Sequence, residues 1–224
     1  VWETELGGAG SAGAGIVVGV LDTGIDPNNP SFSDEGMPAP PDDWTGACDF
    51  GTDEYGSFEC NNKIVGARVY GEEFGNDTSF DFPSARDRNG HGSHTASTAA
   101  GNNGVEITID GNDMGVASGM APRAHIAVYK VAWDDGAGRA FAWDAGSLAA
   151  VEDAVVDGVD VINFSIGGSR DTVLDPVEFA FLIAADAGVF VAASAGNDGD
   201  LGPSTVEHNS PWTMTVAAST HDRG

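Results

Sequence analysis

Short, predominantly apolar runs recur along the chain at 16–21, 126–131, 159–162, 189–193 and 214–217, rich in β-branched residues and interrupted only by single residues such as Lys130, Asp160 and Thr215. Continuous rather than alternating hydrophobicity suits strands buried on both faces. Between the runs the pattern changes to a helical period. At 147–157, Ser147 stands where it can cap a helix that buries Leu148, Val151 and Val155, and at 176–187 Pro176 sits in a first turn with Gly188 past the end. Strands alternating with helices predict an α/β fold: a doubly wound, mostly parallel sheet with helices on both faces and right-handed crossovers. Ligands in such sheets bind beyond the carboxyl ends of the strands. The stretch 26–87 breaks the rhythm. It is rich in Pro, Gly, Asp and Ser, with Pro38-Ala39-Pro40-Pro41 at its centre, and predicts a long surface excursion. No helical pattern follows the run at 214–217, so the sheet is expected to be incomplete at its C-terminal end.

The 224 residues suffice for one domain, or most of one. With 41% hydrophobic and 20% charged residues the chain can bury a core. Its charge is lopsided, 9 Lys and Arg against 35 Asp and Glu, a net −26. That surface repels phosphate backbones and anionic lipid, which argues against nucleic-acid and membrane partners. None of the apolar runs approaches the roughly 20 residues of a membrane span. Lys63 and Lys130 are the only lysines. The skew fits either a soluble extracellular protein kept monomeric by self-repulsion or adaptation to a saline medium, where salt screens surface carboxylates. Cys48 and Cys60, the only cysteines, lie in a polar loop without metal-ligand spacing, and a disulfide closing that loop is expected, which implies an oxidising compartment. No basic-then-apolar leader opens the sequence, so an exported protein is expected here in processed form.

Three segments carry candidate chemistry: Val20-Leu21-Asp22-Thr23-Gly24, Asp87-Arg88-Asn89-Gly90-His91-Gly92-Ser93-His94-Thr95-Ala96 and Ser194-Ala195-Gly196-Asn197-Asp198-Gly199. Each alone reads equally well as a turn or a helix start. Together they supply an acid to orient an imidazole, an imidazole to act as general base, and an amide to hold a developing oxyanion, three components of nucleophilic acyl transfer.

These segments resemble the aspartate, histidine and oxyanion-asparagine motifs of the subtilisin-like serine proteases, in the family's order. Gly115-Val116-Ala117, Met120-Ala121-Pro122, the run 126–131 and Gly158-Val159-Asp160-Val161-Ile162-Asn163-Phe164-Ser165-Ile166-Gly167-Gly168 extend the resemblance over nearly the whole chain. Cys60-Asn61-Asn62-Lys63-Ile64-Val65-Gly66-Ala67-Arg68 and Ala218-Ser219-Thr220-His221-Asp222-Arg223 are similar to the plant cucumisin-like branch. The resemblance implies a secreted serine endopeptidase acting on protein or peptide substrates. Asp22 would fix the tautomer of His91, His91 would serve as general base, and Asn197 would donate to the oxyanion. Extended substrate would lie beside Ser165, Ile166 and Gly167, with Ala193, Ser194 and Ala195 forming another wall of the specificity pocket.

One part of the family's pattern is missing. The nucleophilic serine lies in a Gly-Thr-Ser-Met-Ala-like segment that these residues do not contain, and Ser204, Ser210 and Ser219 lack that context. The chain is therefore expected to be the amino-terminal part of a catalytic domain, inactive alone, partnered by the remainder of that domain and by an inserted protease-associated domain. The alternative is a non-catalytic relative that binds extended peptides. No metal or other cofactor is expected. His94, one turn after His91, suits a structural hydrogen bond better than a metal, and Asp110, Asn112 and Asp113 read as a solvated acidic loop rather than a calcium site. His125, His208 and His221 read as surface or turn residues, and Trp133, Phe141 and Trp143 as core or substrate-rim residues.

Overall fold

The computed structural model describes residues 2–71 and 79–220. Elements follow in the order α1 (Trp2–Glu5), β1 (Val17–Asp22), β2 (Ile64–Val69), α2 (His91–Ala100), β3 (Val105–Ile109), β4 (Asn112–Ala117), β5 (His125–Lys130), β6 (Ala132–Asp134), β7 (Ala140–Ala142), α3 (Asp144–Asp157), β8 (Val161–Phe164), α4 (Pro176–Asp186), β9 (Phe190–Ser194) and β10 (Met214–Val216). Six strands form one sheet in the order β10-β9-β8-β1-β5-β2, every pair parallel. The fold is the expected α/β sheet. β3 with β4 and β6 with β7 form two separate antiparallel hairpins.

All six residues of β1 and of β5 are buried, as continuous apolar runs require of strands covered on both sides. The two faces divide by alternation. Val17 and Leu21 pack with Tyr129, with Val151 and Ala154 of α3 and with Phe181 and Ala184 of α4. Val18 and Val20 turn the other way, onto Ile126, Val128 and the small residues Ala96 and Ala100 of α2. Helices thus cover both faces. From β1 the chain first lays β2 at one edge and then inserts β5 between the two, before reversing to the other side of β1 for β8, β9 and β10. The crevice at that reversal, beyond the carboxyl end of β1, is where such a sheet receives ligands.

Several expectations need correction. The stretch 26–87 is not simply a surface excursion. It lays down β2 at the sheet edge and buries Phe32, Phe50, Ile64 and Ala85 in the α2-side core. Apolar residues scattered singly among turn residues contribute to a core without leaving a periodic signal. Ser147 does not cap α3, which begins at Asp144; Ser147 is buried within it, and its N–H donates to the Trp143 carbonyl at 3.0 Å. Asp144 puts a negative charge in the helix's first turn, where the dipole favours it. α4 is capped instead by Asp175, whose Oδ1 accepts the Val177 N–H at 2.9 Å, with Pro176 in the first turn.

His125 and His208 are core residues, not surface ones. His125 opens β5 with Nδ1 2.7 Å from the Asn62 carbonyl oxygen. Its Nε2 is buried without a partner, and burial holds the imidazole below its ordinary pKa. His221 lies outside the described residues. Trp133 is buried with its indole N–H on the Tyr70 carbonyl at 2.7 Å, whereas Phe141 and Trp143 are exposed. Both lysines are fully buried: Lys63 donates to the carbonyls of Pro122 and Ala124 and Lys130 pairs with Asp81 at 2.8 Å. The described surface therefore carries its positive charge on arginine alone. Cys48 and Cys60 form the expected disulfide.

Candidate active site

Asp22 is the last residue of β1 and is buried, while its partner is carried on the first residue of α2. His91 Nδ1 lies 2.7 Å from Asp22 Oδ1. The same oxygen accepts the Thr23 N–H at 2.8 Å, and Thr95, one turn along α2, donates its hydroxyl to Asp22 Oδ2 at 3.2 Å. A buried carboxylate with these donors is held in one orientation, and it fixes the proton of the facing imidazole on Nδ1. Nε2, the nitrogen free to accept a proton, is left for the cleft. The hydrogen bond to Asp22 holds the His91 pKa above its ordinary value; partial burial opposes this, and the charges of Asp22 and Asp87 add to it.

The position of α2 depends on a residue outside the pair. Asp87 Oδ1 accepts the Gly90 N–H and Oδ2 the Ser93 N–H, both at 2.8 Å, so its carboxylate satisfies two of the orphan donors at the helix start. Asp87 Oδ1 also accepts the Thr23 hydroxyl at 2.8 Å, and Thr23 Oγ1 in turn accepts the Gly92 N–H at 2.8 Å. This chain of bonds ties the end of β1 to the start of α2. The two backbones nearly touch. A Cβ on Gly92 would stand 2.2 Å from the Gly24 carbonyl oxygen, and Gly24 itself has φ 110°, with its Cβ direction blocked at 2.4 Å by the Ala85 carbonyl. Glycine at both positions is what allows an imidazole on α2 to reach a carboxylate on β1.

A cleft of about 250 Å³ opens over this pair, lined by Asp22, Thr23, Asn89, His91, the β6–β7 hairpin, and Ser165, Ile166 and Gly167 just beyond β8. The predicted acid, base and first substrate segment therefore meet in one place. Ala193 is buried in the core, whereas Ser194 and Ala195 are half-buried. These residues lie outside the cleft lining, but Ser194 Oγ donates to the Ile166 carbonyl at 2.9 Å and couples the two proposed walls. Asn197 is exposed in the bend past β9. His94 is exposed, and Asp110, Asn112 and Asp113 lie at the exposed end of the β3–β4 hairpin. Among the described residues no three His, Cys, Asp or Glu side chains converge to hold a metal ion.

Residues 13–223 match the sequence profile described as the Subtilase family. The chain belongs to the subtilase family. Among curated proteins, this subtilase is 43% identical to Subtilisin-like protease SBT2.1 of Arabidopsis thaliana over 97% of its own length and 27% of that protein's. It is 43% identical to SBT1.6 over 94% of its length and 28% of the relative's, and 45% identical to SBT1.3 over 93% and 26%. These plant relatives agree with the cucumisin-like affinity of its motifs. The subtilase chain spans little more than a quarter of the proteins it matches.

Sequence reasoning did not single out Thr23, Asp87 or Thr95 as supports of the pair. Local pattern did not mark Asp87, which lies three residues before the N-cap Gly90 rather than at the N-cap, where a capping side chain is read from sequence. It also missed the buried network behind the proposed substrate wall. His208 Nδ1 is 2.5 Å from Glu178 Oε1, its Nε2 is 3.0 Å from the Ile166 carbonyl oxygen, and Ser210 Oγ bonds the second oxygen of Glu178. Because a carbonyl only accepts, Nε2 of His208 carries a proton there.

Proposed function

We propose that the protein containing this chain is a serine endopeptidase that hydrolyses peptide bonds through Asp22, His91 and a serine supplied from outside these 224 residues. The observation that carries this reading is the Asp22–His91 bond at the floor of a cleft beyond the carboxyl end of β1. His91 Nε2 takes the serine hydroxyl proton as its oxygen bonds to the scissile carbonyl carbon. Asp22 stabilises the imidazolium so formed. The side-chain amide of Asn197 donates to the oxyanion, and the tetrahedral intermediate collapses when His91 returns the proton to the departing amine. Water then repeats the sequence on the acyl-enzyme and frees the serine.

Substrate lies extended beside Ser165, Ile166 and Gly167 as an added strand, with main-chain pairing for affinity; Ala193, Ser194 and Ala195 supply the second wall. Protein or peptide substrates, the rest of the catalytic domain and an inserted protease-associated domain are the partners. The protein is secreted, a reading supported by the Cys48–Cys60 disulfide. No helix among the described residues is long and apolar enough to cross a membrane.

A fluorophosphonate probe on the full-length protein should label one serine, and His91→Ala should abolish labelling. Folded full-length protein that takes up no probe would be a peptide-binding relative without catalysis. Asn197→Ala should lower kcat by about 10²–10³-fold, the size found for such a donor in subtilisin, with a smaller effect on KM.

A further inference from the structure

Building on the peptidase reading, we propose that Glu207 sets the side-chain preference of the cleft, favouring arginine or lysine immediately before the scissile bond. Glu207 is fastened to both walls of the proposed pocket. Its N–H donates to the Ala195 carbonyl at 3.1 Å on one wall, and its Oε2 accepts the Gly168 N–H at 3.1 Å on the other. The glycines facing it define the space it fills. A Cβ on Gly167 would lie 2.8 Å from Oε2, and one on Gly196 would lie 2.7 Å from the same carboxyl group. The carboxylate thus stands between segments 165–167 and 193–196, in room left by two missing side chains. Its side chain is only 13% exposed.

Charge decides what such a slot accepts. Arg170 approaches Glu207 with Nε 3.4 Å from Oε1, but it is also paired with Asp198. One guanidinium shared by two carboxylates leaves the group of three with a net negative charge. A mostly desolvated carboxylate in that setting favours a ligand that brings its own cation, and hydrogen bonds to charged groups are the strong ones. Arginine, with a planar fork that can engage both carboxylate oxygens, should be preferred to lysine. The net charge of −26 draws cationic segments from a distance in the same direction.

The test uses the full-length protein and peptides identical except for Arg, Lys, Leu or Ala before the scissile bond. The kcat/KM ratio of Arg over Leu should be about 10- to 100-fold. Glu207→Gln keeps an acceptor for the Gly168 N–H but removes the charge, and should bring the ratio close to one. Arg170→Gln removes the competing cation and should raise it. A residue that merely braced the wall would leave the ratio unmoved in both variants, which would overturn the proposal. So would a wild-type preference for Ala over both Arg and Leu, which would show Glu207 blocking the slot. If no peptide is cut and no probe is bound, the peptidase reading fails on its own. Equilibrium binding of the Arg and Leu peptides then decides the present point: tighter Arg binding that is lost in Glu207→Gln supports it, and equal binding refutes it.

Discussion

Replacing both Cys48 and Cys60 by serine should cost about 3 kcal/mol of stability. The bridge joins residues 12 apart in sequence. For a loop of that size, closure removes about 10 cal/mol/K of entropy from the unfolded chain, or ~3 kcal/mol at 25 °C. The folded side of the balance should change little. Cys48 is exposed and Cys60 half-buried, so serine hydroxyls remain close to water. The loop keeps its other attachments: the Asp49 N–H on the Ala67 carbonyl at 2.8 Å, the Ala67 N–H on the Ala47 carbonyl at 3.0 Å, and Phe50 against Phe58 with ring centroids 5.3 Å apart. The melting temperature should then fall by ~6–12 °C, at 2–4 °C per kcal/mol for a chain of this size. Guanidinium and thermal unfolding followed by circular dichroism would measure both quantities, with reduced wild type melting close to the double variant. A loss under ~1 kcal/mol, or wild type melting at one temperature whether oxidised or reduced, would refute the loop-entropy reasoning.

Asp22→Asn should lower kcat of the full-length enzyme by about 10⁴-fold, the loss known when a triad aspartate becomes an amide, because the amide stabilises the wrong imidazole tautomer. With Asp22 holding the His91 pKa above its ordinary value, the acid limb of kcat/KM should lie above that of an unperturbed histidine and move down in Asp22→Asn; an unmoved limb would remove His91 from the role of general base. The His91 proton likewise stabilises the fold below the ordinary histidine pKa, and that contribution is lost as pH rises through the raised value. Lys63 has the opposite sign. Burial, with the Arg123 charge, lowers its pKa to about 8, so from there to ~10.4 the unfolded chain binds more protons and stability should rise with pH, by up to ~3 kcal/mol. Lys63→Met should flatten that slope in urea melts. Glu178→Ala should cost about 3–5 kcal/mol by leaving His208 and Ser210 buried without their acceptor. A loss below ~1 kcal/mol would show water reaching that network.

Residues that act through local chain geometry were legible before the structure. Each apolar run near β1, β5, β8, β9 and β10 lies within a few residues of the observed strand; β1 and β5 are buried throughout because both faces are covered, whereas Met214 and Val216 of β10, at the sheet edge, are exposed. Asp22 and His91 were legible because each sits in a short contiguous motif at an element boundary. The reverse holds where partners come from distant segments. Phe32, Phe50 and Ala85 join one core from three separate loops, with no period to mark them. His208 looks like a turn residue and is buried because Glu178, thirty positions earlier, provides its acceptor.

By itself the sequence determined the α/β class, the acidic surface and the types of residue available for acyl transfer, all of which follow from local pattern and composition. Tertiary structure alone decided that the Asp22 carboxylate meets the imidazole of His91, since the two lie 69 positions apart and are joined only by packing of α2 on β1. It also decided where the charge falls. Two lysines that composition counts as surface cations are buried, and one glutamate among many, Glu207, stands between the proposed walls of the substrate cleft. Composition counts charges without locating them, whereas the energy of a charge depends on what surrounds it.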